Sequence, residues 1–305
     1  GALGQMKGRL RPVSGIAEAF GPAGGDPELP FARWLSGREF ATGLDVEMAA
    51  LPLLPRRLLQ ELLWQRCAAA VLTSASMTAL GSFDRLLQET GIPADSRCLQ
   101  LPSPFNHREA AELRVPGQAL DPADKERYTA MLIEQVSSSV TPAEGTLVLF
   151  TARRQMQSVY EGLDETMQSL VLNQDALGKQ EIMRRHRAAV DAGRASVIFG
   201  LASFAEGIDL PGKYCTHVVS TRLPFAVPDD PVEATLAEWV RSRGGQPFRD
   251  IALPDAARRL MQATGRLLRT EQDRGRITVL DRRLLSKHYG RALLQSLPDY
   301  RLVTQ

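Results

Sequence analysis

GTLVLFTARRQMQSVYEGLDE, residues 145–165, sets an uninterrupted apolar run directly before an amphipathic segment. A run without alternation suits a strand buried on both faces, and the apolar spacing from 153 to 165 is that of a helix. One strand–helix unit cannot cover itself, so the pattern should recur. It does: LVLNQ (170–174) is a strand before the helix KQEIMRRHRAAVDAG (179–193), and ASVIFGLASFAEGID (195–209) is a strand that breaks into a loop. YCTHVVSTRLPF (214–225) is a strand before the helix PVEATLAEWVRSRGG (231–245), with Asp230 as its cap ahead of Pro231. DAARRLMQATGRLLRT (255–270) reads as one further helix, GRITVLD (275–281) as a strand and HYGRALLQSL (288–297) as a closing helix.

Toward the N-terminus the same grammar predicts a helix from about Pro55 to Gln65, a buried strand at 68–77 and a helix at 82–91 stopped by Gly91. A second strand is expected at 96–107, then a long polar connection flanked by Pro116 and Pro122, then a helix at 122–139. Residues 1–41, densest in Gly and Pro at GPAGGDPELP (21–30), are expected to be an irregular arm or the remnant of a preceding domain, with Trp34 as its anchor. The alternation implies an α/β, doubly wound, mostly parallel sheet with helices on both faces, spanning residues 42–305.

With 305 residues, 44% of them hydrophobic, the chain can bury a substantial core, and a net charge of +2 favours no class of partner. Cys67, Cys98 and Cys215 lack C-x-x-C spacing, and His107, His186, His217 and His288 lack H-x-x-x-H spacing. No metal site is expected from them, and a reducing cytoplasm suits the cysteines. Neither a run of 18 apolar residues nor a charged-then-apolar leader is present in the sequence, so no membrane span or signal peptide is expected.

On a helical wheel, Arg258, Arg259, Gln262, Arg266 and Arg269 fall on one arc opposite Leu260, Met261, Leu267 and Leu268. A comb of guanidinium forks suits a polyphosphate, although an Arg-rich helical face is also what solvent exposure produces. In doubly wound sheets ligands bind beyond the carboxyl ends of strands. The residues there are Ser74 after Thr73, Thr151 and Arg153 after Phe150, Glu206, Gly207 and Asp209 after Gly200, and Arg222, Phe225, Asp229 and Asp230 after Thr221. Each has a bland alternative: a Thr cap with a solvated Arg, a local Asp/Gly turn, a buried Phe.

TSASM (73–77), LVLFTA (147–152), SFAEGIDLPG (203–212) and QATGRLLR (262–269) resemble motifs III, IV, V and VI of superfamily 2 helicases, in that order. LPSPFNH (101–107), RLPFAVPDDPV (222–232) and DRRLLSKHYG (281–290) make the XPD-like DNA helicases, in their bacterial DinG branch, the family the chain is most similar to. Ser76 and Met77 depart from the usual motif III residues, and no GxxxxGK[ST] loop, DEAH sequence or set of four iron–sulfur cysteines occurs.

The resemblance therefore implies the second RecA-like motor domain alone, inactive by itself, from an ATP-driven 5′–3′ DNA helicase. ATP and Mg²⁺ would be held with a first motor domain, and any iron–sulfur cluster would belong to that other region. In this alignment Arg266 and Arg269 supply transition-state charge and Gln262 reads the γ-phosphate. Glu206, Gly207 and Asp209 link nucleotide to DNA, and Ser74 couples the domains. Ser103, Phe105, Thr151, Arg153 and Phe225 are the expected contacts to single-stranded DNA, within forks, R-loops or D-loops. A non-catalytic module docking to a replication or repair protein, or an RNA-directed motor, are the competing readings.

Overall fold

The computed structural model describes residues 20, 31–40, 43–201, 204, 206–226 and 230–304. Its contacts divide the chain into two compact units, one built on residues 1–78, 82–98 and 226–254, the other on 79–81, 99–225 and 255–305.

In the smaller unit, β1 (Phe31–Phe40) and β2 (Gly43–Pro52) form an antiparallel hairpin in register from Phe31↔Pro52 to Phe40↔Gly43. Residues 31–40 were expected to be irregular. They are a strand because Ala32, Leu53 and Leu54 bury a small core against Trp34, Val232, Leu236 and Trp239 of the Pro231–Ser242 helix. Trp34 is thus an anchor, but of a hairpin. Asp230 caps that helix, its carboxylate accepting from the N–H groups of Val232 and Glu233 at 2.8 and 3.1 Å. Asp229 lies outside the described residues. Helices at Arg56–Leu62 and Asp84–Thr90 follow expectation, and Gly91 closes the second in a left-handed conformation, φ 64°.

Two expected strands are absent. Residues 68–77 and 96–106 contain no strand, and Val71, Leu99 and Leu101 are 93%, 62% and 73% exposed. Their composition suits a strand, but strands need a ladder, and among the described residues no neighbour pairs with them.

The larger unit is built on a seven-stranded, all-parallel sheet of order β5-β6-β4-β7-β8-β3-β9. Its strands are β3 (Ala111–Arg114), β4 (Gly145–Phe150), β5 (Val171–Asn173), β6 (Ser196–Leu201), β7 (His217–Ser220), β8 (Gly275–Val279) and β9 (Arg301–Val303). β3 falls inside the stretch expected to be a polar connection, because four residues beside Pro116 carry too short a pattern to announce a strand. β9 and the short helices Glu165–Leu170 and Arg283–Ser286 were missed for the same reason.

Val148, Phe150, Val197, Phe199 and Val219 join Tyr128, Leu132, Met156 and Val159 in one buried cluster. The alternate residues Leu147, Leu149, Ile198 and Val218 are buried as well, so both faces of the sheet are covered. All seven strands run the same way, so the loops after β4, β6, β7 and β8 gather along one edge of the sheet.

Candidate functional site

The helix carrying the arginines spans Leu253–Thr264 and stops there, six residues before the expected end. Gly265 N makes the last helical bond, to Met261 O, and beyond it the N–H groups of Arg266 and Leu267 make turn hydrogen bonds to Ala263 O and Thr264 O. Leu267 and Leu268 turn into the core, and Asp273 captures the chain that follows. Its buried carboxylate accepts from Arg269 N at 2.6 Å, Thr270 N at 2.8 Å, Thr270 Oγ1 at 2.7 Å and Gly212 N at 3.1 Å. Burial opposes its ionisation, but these donors outweigh that and hold its carboxyl below the usual value. The single-face comb is therefore corrected. Arg258, Arg259 and half-buried Gln262 are helical, whereas Arg266 and Arg269 project from the turn.

That turn aims both at the loop after β6. Arg266 Nη1 and Arg269 Nη2 donate to Ile208 O at 3.0 and 2.9 Å, and Arg269 Nε lies 3.6 Å from Asp209 Oδ1. Arg187 Nη2 donates to Asp209 O at 3.0 Å, and Lys179 Nζ donates to Glu206 O. Four cations thus engage three carbonyls of one loop, which Gly207 turns with φ 71°. Burial, and then the neighbouring Arg269 charge, lower the affinity of Arg266 for its proton. A guanidinium has five N–H donors, so one bond from each arginine to Ile208 O leaves most of the donor capacity for an anion. Nε of Arg269 is buried and has no hydrogen-bond partner. Asp209 Oδ1, at 3.6 Å, is the anionic oxygen nearest to it, too far for a hydrogen bond, so the donor can still take a closer anionic oxygen.

Other expected residues sit along the same strand ends. Thr151 is half-buried after β4, and Arg153 Nε lies 3.4 Å from Asp175 Oδ1 after β5. Phe225 follows β7 and meets Tyr289 edge to face, with centroids 5.5 Å apart. Ser103 Oγ accepts from Phe105 N at 3.3 Å and pairs with His107 Nε2 at 2.8 Å. Phe105 shares a cleft with Thr270 and Arg274, which places it beside the arginine turn. Ser74 belongs to the smaller unit, where its Oγ accepts from Ser76 N at 3.3 Å. His186 and His217 are buried and hydrogen-bonded, and among the described residues no group of three or more His, Cys, Asp or Glu is placed to hold a metal ion. No helix among the described residues is long and apolar enough to cross a membrane.

Asp273, Lys179 and Arg187 escaped the sequence reading. Asp273 lies outside every recognised motif, and the two cations sit on a helix whose polar face carries many charges, so nothing local marks them.

The helicase C-terminal domain profile matches residues 133–300. The ATP-dependent DNA helicase DinG of Photobacterium profundum is 37% identical over 286 residues, covering 92% of this chain and 41% of that protein. The DinG helicase of Escherichia coli K12 is 32% identical, over 98% of this chain and 42% of its own length. A solved XPD helicase superposes with a TM-score of 0.59 at 17% identity, over 89% of this chain and 48% of that one, which supports the RecA-like fold. The chain thus spans about two fifths of the relatives it matches. With more than half of its residues inside the profile, and with the parallel sheet and strand-end loops described above, the chain belongs to the helicase C-terminal domain family.

Proposed function

We propose that residues 42–305 form the second RecA-like motor domain of a cytoplasmic, ATP-dependent DNA helicase that moves 5′ to 3′ on single-stranded DNA and serves replication or repair. The first motor domain would lie elsewhere in a longer protein, in keeping with the 41% of the relative's length that this chain spans. The observation that carries the reading is the convergence of Arg266 and Arg269 on Ile208 O, with Arg269 Nε buried beside it, 3.6 Å from Asp209 Oδ1 and without a hydrogen bond.

ATP with Mg²⁺, when bound, supplies a terminal phosphoryl group whose transfer to water drives movement. Arg266 and Arg269 would hold its phosphate oxygens and neutralise the charge that develops, and Gln262 would contribute a further donor from the last helical turn. Glu206, Gly207 and Asp209 would relay changes at these arginines toward DNA, since Ile208 O between them is the arginines' common acceptor. Ser74 would couple the two motor domains, and Ser103, Phe105, Thr151, Arg153 and Phe225 would contact the strand.

The test is steady-state ATPase of the full-length protein with saturating single-stranded DNA. Arg269→Ala should cut kcat by at least 10³-fold, the lower end of what arginine fingers contribute in GTPases. A loss under threefold would remove the arginine from the reaction. Unwinding only of substrates with 3′ overhangs would overturn the polarity.

A further inference from the structure

At the exits of β7 and β8 a second cluster forms, separate from the arginine turn. Asp281, fully buried, accepts from Leu223 N at 2.9 Å, Arg283 N at 3.0 Å, Arg283 Nε at 3.0 Å and Arg283 Nη2 at 2.7 Å. One carboxylate thereby ties the two strand exits together and lays the Arg283 guanidinium over the Phe225 ring, 5.7 Å from its centroid. Tyr289 meets Phe225 at 85° and His288 at 73°, with centroids 5.5 and 5.6 Å apart. Gly290 fixes the position of Tyr289, because a Cβ there would collide with the backbone of Leu284 and Arg283. Phe225, Tyr289 and Arg283 are each half-buried, so each keeps part of its surface in solvent.

Cations outnumber acids near these rings, where Asp281 and the exposed Asp121 are the carboxylates that act on Arg283 and Tyr289. From Arg282 to Arg291 the sequence RRLLSKHYGR has no carboxylate, and Arg282, Lys287 and Arg291 are exposed. The nearest acid, Asp281, is already engaged by Arg283. Packed aromatic rings beside a run of cations are the recognition chemistry of unpaired nucleic acid: bases stack on rings, and phosphates follow the cations.

We propose that Phe225, Tyr289 and Arg283, with the exposed cations Arg282, Lys287 and Arg291 close by in the sequence, form a stacking site for one unpaired base of single-stranded DNA and its flanking phosphates. The inference rests on the reading of the chain as part of a DNA motor. It adds Tyr289 and the 282–291 cations as specific contacts and makes Asp281 a positioning residue. An acidic protein segment would use the cations but not the rings, so the rings favour the nucleic acid.

The experiment is fluorescence anisotropy of the full-length protein with labelled oligo-dT over a series of KCl concentrations. Tyr289→Leu should weaken binding at least tenfold with the salt slope unchanged, and Tyr289→Phe should retain wild-type affinity. Lys287→Ala and Arg291→Ala, surface changes that spare the core, should each lower the salt slope by about 0.7. Wild-type binding with all of these variants within twofold, and with unaltered slopes, would overturn the site while leaving the DNA-motor reading intact. Cation variants alone weakening binding, with Tyr289→Leu neutral, would overturn the stacking and point to an acidic ligand. A wild-type protein that fails to bind oligo-dT would overturn both readings.

Discussion

Arg266 and Arg269 donate to the same acceptor, Ile208 O, at 3.0 and 2.9 Å, so two like charges are held side by side by one carbonyl. Either arginine alone keeps that carbonyl satisfied. Single alanine substitutions should therefore cost little stability, whereas the double substitution should destabilise by about 1–3 kcal/mol beyond the sum of the singles. Urea titration of the four full-length forms checks this, and additivity within 0.5 kcal/mol, roughly the usual scatter for independent sites, would contradict the shared acceptor.

Asp273→Ala should be the more damaging change to the same turn. It removes the acceptor of the N–H groups of Arg269, Thr270 and Gly212 at once; these donors are only partly buried and Thr270 is exposed, so each loss costs about 1 kcal/mol or less. We expect a loss of about 1–3 kcal/mol together with a raised KM for ATP, because the turn that aims Arg269 is released. Normal melting for this variant would show that the buried carboxylate does not organise the turn.

His217 makes stability depend on pH. Burial, and then the charge of Arg276, push its folded pKa down to about 3 from an ordinary 6.5. Above pH 6.5 both folded and unfolded forms are neutral and nothing is lost. As pH falls from 6.5 toward 3, only the unfolded chain takes the proton, so stability declines throughout that window and levels off below it. At about 1.4 kcal/mol per pH unit the loss reaches several kcal/mol. His217→Gln should flatten the decline between pH 6 and about 4 in urea melts, and an unchanged slope would assign it to other groups.

Gly207 turns the loop after β6 with φ 71°, where a Cβ costs about 1–2 kcal/mol. An added methyl would stand 3.6 Å from Lys179 Nζ, ordinary contact, so the cost is conformational and not steric crowding. Gly207→Ala should destabilise by about 1 kcal/mol and reduce DNA-stimulated ATPase more than basal ATPase. Equal effects on both activities would separate this loop from coupling.

What the sequence determined by itself is the run of five adjacent strands from β5 to β8, not β3 and β9 beyond them. Five apolar runs, each followed or preceded by a helical pattern, require a two-sided parallel arrangement, and β4, β5, β6, β7 and β8 form where those runs lie. The motif strings also brought Arg266, Arg269 and the 206–209 loop under suspicion together. Tertiary structure alone decided the rest. Residues 68–77 carry a strand's composition yet are no strand, because β structure exists only where a partner supplies the ladder. The Leu253–Thr264 helix ends early because Asp273, nine residues beyond its last turn, outcompetes the helical ladder for the N–H groups of Arg269 and Thr270. A helical wheel assumes local geometry, and here a buried side chain set it instead. That capture of two N–H groups by a carboxylate three and four residues further along is what points two arginines at Ile208 O, and helical periodicity does not reveal it.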